Sequence, residues 1–121
     1  MSETVSVSAQ LVKRSREDRD ELLEDLVGLL AGTVPDVQIA RTLLRRRVKS
    51  IRCPVGDSVY TLARGSGRSF EAARQQQVRG VVVRTIPMDI EPFLAELGVA
   101  LDAELQRTEQ GRKALEQWMK S

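Results

Sequence analysis

The sequence predicts an α+β fold: an N-terminal helix, a three- to five-stranded antiparallel β-meander and a long C-terminal helix, with the helices packed on one sheet face. Three observations carry this expectation. Leu22, Leu23, Leu26, Val27, Leu29 and Leu30 recur at helical spacing near the start of the chain. Over residues 36–86 the apolar period shortens to two, interrupted by the turn clusters Pro54-Val55-Gly56-Asp57 and Gly65-Ser66-Gly67. From Ile90 onwards the helical period returns.

Taken in order, residues 1–14 alternate Val5, Val7, Ala9 and Leu11 with Ser and Thr, which fits a flexible tail or a short edge strand ahead of a single domain over 15–121. Ser15 is placed to cap a helix over residues 15–32, with Asp18 three residues on and further acids in the first turns. Gly32 and Pro35 are placed to end it. Residues 36–47 read either as a strand or, from Thr42, as a helical turn. Val48–Cys53 and Ser58–Arg64 form the clearest hairpin, Arg68–Arg74 a weaker strand, and Arg79–Ile86, around Val81-Val82-Val83, the strongest strand, which Pro87 is expected to end. A final helix over 89–119 starts at Asp89, with Ile90, Phe93, Leu94, Leu97, Leu101, Leu105, Leu115, Trp118 and Met119 as its apolar stripe. The stripe thins between Gln106 and Lys113, around Gly111.

Composition excludes much chemistry. The 121 residues suit one domain, and a chain of this size buries roughly two-thirds of its unfolded surface without staples. There is no histidine, so no Ser–His or Cys–His couple and no ordinary His/Cys zinc site can form. The single cysteine, Cys53, alternates with Ile51 and Val55 on one strand face and reads as a buried, inert thiol; it cannot form an internal disulfide, in keeping with a reducing compartment. Lys49 and Ser50 are strand neighbours pointing to opposite faces, not a dyad. Gly65-Ser66-Gly67 leads into a strand rather than a helix, so a hairpin turn is expected there and not a phosphate loop. No catalytic residue, cofactor or metal site is expected. No signal peptide and no apolar run long enough to span a bilayer occurs, so the expected location is cytoplasmic.

The informative signal is the distribution of charge. A formal charge of +2 divides into −4 over residues 1–40, +9 over 41–84 and −3 over 85–121. Arg45, Arg46, Arg47, Lys49, Arg52, Arg64, Arg68, Arg79 and Arg84 are the candidate contacts to a protein partner or to phosphates, because alternating strands should raise their long side chains on one solvent-facing surface. The acidic helices of this chain or of a dimer mate could instead neutralise that surface. Leu105, Gly111, Leu115, Trp118 and Met119 are candidate dimer contacts. In the order of its elements alone, the chain resembles the YbaB-type nucleoid-associated proteins, which are dimeric DNA binders, and equally small dimeric secretion chaperones with a helix-flanked sheet. No residue role carries over from either. The expected function is a small non-enzymatic homodimeric adaptor whose Arg-rich sheet faces a protein partner; the alternative is a sequence-tolerant nucleic-acid binder using the same cations.

Overall fold

The computed structural model describes residues 6–19, 21–30, 34, 36–44, 46–65 and 69–120. The chain runs α1 (Val7–Glu17), α2 (Leu22–Leu30), β1 (Gln38–Arg41), β2 (Val48–Val55), β3 (Ser58–Arg64), β4 (Phe70–Val78), β5 (Val81–Met88), α3 (Ile90–Leu105) and α4 (Glu109–Lys120). The strands form one antiparallel sheet in sequence order, as expected of strands joined by short connections.

Both helical regions differ from expectation in the same way: each is two helices. At the start, residues 7–14 belong to α1 and are neither tail nor strand. Ser6 caps α1, accepting a hydrogen bond from the Ala9 N–H at 3.1 Å. Val7, Leu11 and Ser15 then fall at every fourth position and are buried. Ser15, expected as a cap, lies inside this helix and donates its hydroxyl to the Val12 carbonyl at 2.6 Å. The chain turns after α1 because α2 buries six of its nine residues, leaving almost no face for solvent. At the other end, α3 stops at Leu105 and Thr108 starts α4, its hydroxyl accepting from the Gly111 N–H at 3.0 Å. The thin part of the stripe is therefore a helix break. Gly32 and Pro35, expected to end the first helix, lie outside the described residues.

The hairpins follow turn chemistry. Val55 pairs with Ser58 around Gly56-Asp57, and Gly56 has a φ of 63°. Val78 pairs with Val81 around Arg79-Gly80, where both residues have positive φ, as a two-residue turn of this kind requires. β5 continues through Pro87, which faces Ala73, to Met88; a proline is tolerated because β5 is an edge strand.

Register divides the sheet into two faces. On one, Ile51 lies opposite Leu62, Leu62 opposite Ala72, and Cys53 opposite Tyr60. These residues join Leu22, Leu26, Leu29, Phe93, Leu97 and Leu101 in the core, where the Tyr60 and Phe93 rings meet edge-on at 5.9 Å. α1 lies against α3, close enough for the Ser8 hydroxyl to donate to the Ala95 carbonyl at 2.5 Å. The opposite face carries Gln38, Ala40, Ser50, Arg52, Thr61, Ala63, Ala73, Gln75 and Thr85, all half-buried or exposed, and also Val59, which lies between Pro54 and Gln75 and is buried. Among the described residues, no helix packs on it.

Candidate interaction surface

The cations of the middle segment do not form one sheet surface. Arg64 pairs with Phe70 and Arg84 with Gln76, which places both on the helix-bearing face together with Arg74. Arg52, opposite Thr61, points to the other face. The expectation of one positive face assumed that all strand arginines share a parity. They do not, because the two-residue turns fix registers that send them to both sides. Arg45 and Arg68 lie outside the described residues.

Helix carboxylates take up part of the charge, as the internal alternative expected. Arg74 is ion-paired with Glu96 of α3, and the Tyr60 hydroxyl lies 3.5 Å from the same carboxylate. Arg41 lies 3.6 Å from Glu24 of α2, whose other oxygen accepts the Val48 N–H at 2.7 Å. Arg64 donates through Nε to the Val48 carbonyl at 3.1 Å. Among the described residues, no ion pair forms on Arg46, Arg47, Lys49, Arg52, Arg79 or Arg84.

What the structure does gather is one end of the sheet. In an antiparallel meander the β1–β2 and β3–β4 connections leave at the same end, and the β2–β3 and β4–β5 turns at the other. Arg41, Arg46, Arg47 and Lys49 cluster on the β1–β2 hairpin, all four exposed. Arg79 stands at the far end, in the β4–β5 turn. The basic hairpin closes on itself: the Thr42 N–H donates to the Arg47 carbonyl at 2.8 Å, the Arg46 N–H to the Thr42 carbonyl at 3.1 Å, and the Arg41 guanidinium to the Arg46 carbonyl at 2.9 Å. At its tip Leu43 and Leu44 are each 98% exposed. The sequence signal for this feature is Leu43-Leu44 beside the arginine run, in a segment whose pattern fits a strand and a helical turn equally, so the exposure of the pair does not follow from spacing.

A second exposed apolar feature lies across the sheet. Val81, Val82 and Val83 of the β5 edge are 64%, 42% and 60% exposed, with Val78 of β4 beside them at 58%. The residues expected at a dimer contact are placed differently. Leu105 and Trp118 are buried, Leu115 and Met119 pack against the core, and Gly111 is buried where a Cβ would strike the Leu105 carbonyl. That stripe is filled by the chain's own interior, because the break after Leu105 folds α4 back onto α2.

The remaining chemistry is sparse. Cys53 is buried among core residues, and burial pushes its thiol up to about 12, with the charge of Glu104 adding to the effect. Among the described residues no group of acids, cysteines or histidines could hold a metal ion, and no helix is long and apolar enough to cross a membrane. A shallow cleft on the uncovered face, beside Thr61, Ala63, Ala73 and Pro87, contains the single carboxylate Glu71. Comparison with known proteins finds no family model, no curated protein and no solved structure that matches this chain.

Proposed function

We propose that the chain is a small non-enzymatic homodimeric protein-interaction module that pairs through β5 and offers the uncovered sheet face to a protein partner. The observation that carries this reading is the β5 edge. A strand with one unpaired side and three exposed valines in succession is a template for another strand, and the bulge at Val83 with the Arg84 and Pro87 that follow confines such pairing to the start of β5. Antiparallel pairing of β5 with its copy about a two-fold axis is self-complementary. It joins two sheets into one, with both uncovered faces on the same side. That joint face is wide and mixes polar with apolar side chains, Arg52, Thr61 and Gln75 standing among Ala63, Ala73 and Pro87, with Glu71 as a carboxylate on it.

Nucleic-acid binding has less support from the geometry. The cations lie on both faces, and Tyr60 and Phe70 pack in or against the core, so no exposed aromatic side chain is set beside them for base stacking.

Light scattering on the purified chain is the test. The expected mass is about twice the 13.5 kDa of one chain. Replacing Val81 and Val83 together with lysine should return a monomer with unchanged circular dichroism, because both side chains are exposed. A wild-type chain that stays monomeric at every concentration removes the basis of the proposal.

A further inference from the structure

A separate surface, at the opposite edge of the sheet from β5, goes beyond that reading. We infer that the tip of the β1–β2 hairpin docks the protein on an anionic lipid bilayer, with Leu43 and Leu44 entering the headgroup–acyl boundary and Arg41, Arg46, Arg47 and Lys49 meeting lipid phosphates and carboxylates.

Four observations point to a lipid surface. First, Leu43 and Leu44 are adjacent and both 98% exposed, so neither contributes to the core and both project beyond the hairpin. Such a convex apolar tip suits a fluid medium that closes around it; a protein partner would need a matching cavity. Second, the hairpin is already closed by the Thr42–Arg47 and Arg46–Thr42 hydrogen bonds and by the Arg41 guanidinium. Little ordering entropy is then left for docking. Third, residues 38–55 contain no Asp or Glu, so the cations stand behind the leucines without a like-placed acid. Glu24, the one carboxylate in contact with the hairpin among the described residues, is engaged by Arg41 and the Val48 N–H. Of the other acids at this end, Glu71, Asp89 and Glu91 belong to the β4–β5 side, with Glu91 held by Arg16 at 2.6 Å, and Glu17, Asp18 and Glu21 belong to the end of α1 and its connection to α2, with Glu17 facing Lys13. Fourth, the depth is right: interfacial segments bury apolar side chains ~5–10 Å into this boundary, which one exposed leucine pair can reach while the arginines remain at the headgroups.

The two contributions are expected to be interdependent, because neither a few exposed cations nor two leucines alone give stable anchoring. Cosedimentation of the full chain with vesicles separates them. The probes are vesicles of phosphatidylcholine alone and of phosphatidylcholine mixed with phosphatidylserine in equal parts. The wild-type chain should partition onto the mixed vesicles and at least about tenfold less onto phosphatidylcholine, with binding weakened by salt. Leu43→Ser with Leu44→Ser should weaken partitioning by about tenfold or more, and Arg46→Glu with Arg47→Glu should abolish it. Leu43 and Leu44 are almost fully exposed and Arg46 and Arg47 are exposed, so thermal unfolding should be unchanged and confirms that the variants are folded. No binding to mixed vesicles overturns the inference. So does equal binding of the serine variant, which would reduce the effect to plain electrostatics. Self-association that disappears in the serine variant while vesicles are ignored also overturns it, assigning the tip to a second copy. None of these outcomes depends on β5, so this inference and the dimer proposal stand or fall separately.

Discussion

The Arg14 guanidinium lies 4.3 Å from the centre of the Trp118 ring, joining the first helix to the last across 104 residues of sequence. The same guanidinium donates to the Trp118 carbonyl at 3.2 Å and lies 3.5 Å from the Asp25 carboxylate, while the Trp118 indole N–H donates to the Asp25 backbone carbonyl at 3.2 Å. Three helices thus meet on one ring. Replacing Trp118 with alanine should cost about 3–5 kcal/mol, because a buried indole leaves a large void. Arg14→Ala should cost about 1–3 kcal/mol through the lost stacking, ion pair and packing. A double-mutant cycle by urea denaturation should find coupling of about 1 kcal/mol between them; additive losses would show that the stacking contributes nothing.

Two glycines give opposite expectations. A Cβ at Gly98 of α3 would collide with the backbone of Ser8 of α1. Gly98→Ala should therefore destabilise by about 1–3 kcal/mol through overpacking. Gly28 of α2 is exposed and a Cβ there meets nothing within 4 Å, so Gly28→Ala should stabilise by about 0.5–1 kcal/mol through helix propensity. The denaturation midpoints should move in opposite directions.

Cys53 should resist thiol reagents in the native state. Its thiol is held protonated by burial and reached by little solvent. Labelling with an aromatic disulfide at neutral pH should be absent in native buffer and should reach one equivalent, for the single cysteine, in strong denaturant. Fast labelling of the folded chain would contradict the placement of β2.

Tyr60 is the only tyrosine, so ultraviolet absorbance reports its ionisation alone. Burial, then the charge of Glu96, raises its pKa above the ordinary 10.0, with Arg74 opposing. Since the folded value lies above the unfolded one, the associated stability is present below about pH 10 and is lost as pH rises through the raised value. Glu96→Gln should move the titration to lower pH. An unchanged midpoint would mean that burial acts alone.

Much of the fold is legible from spacing. The leucines of α2, the two-residue turn around Gly56 and the apolar stripe of α3 are local patterns, and each appears where its period and turn chemistry place it, whereas Arg79 and Gly80, expected to open the last strand, form the turn before it. The helix breaks are not local. The sequence over 15–32 reads as one helix, and that over 89–119 as one helix with a thinned stripe near Gly111. Burying α2 on nearly all sides and folding Trp118 back over Arg14 divide them into separate helices.

The sequence by itself determined the element types, the antiparallel meander, the buried position of Cys53 and the concentration of cations between Arg41 and Arg84. Only the tertiary structure decided what those cations face. A side chain's parity on a strand depends on register, and register is set by turns and by two bulges, one at Lys49 opposite Ala40–Arg41 and one at Val83 opposite Gln76–Gln77, that no composition reveals. The same geometry filled the Trp118 stripe from within and left Leu43, Leu44 and the β5 valines outside, since whether an apolar residue is covered depends on which distant element folds over it.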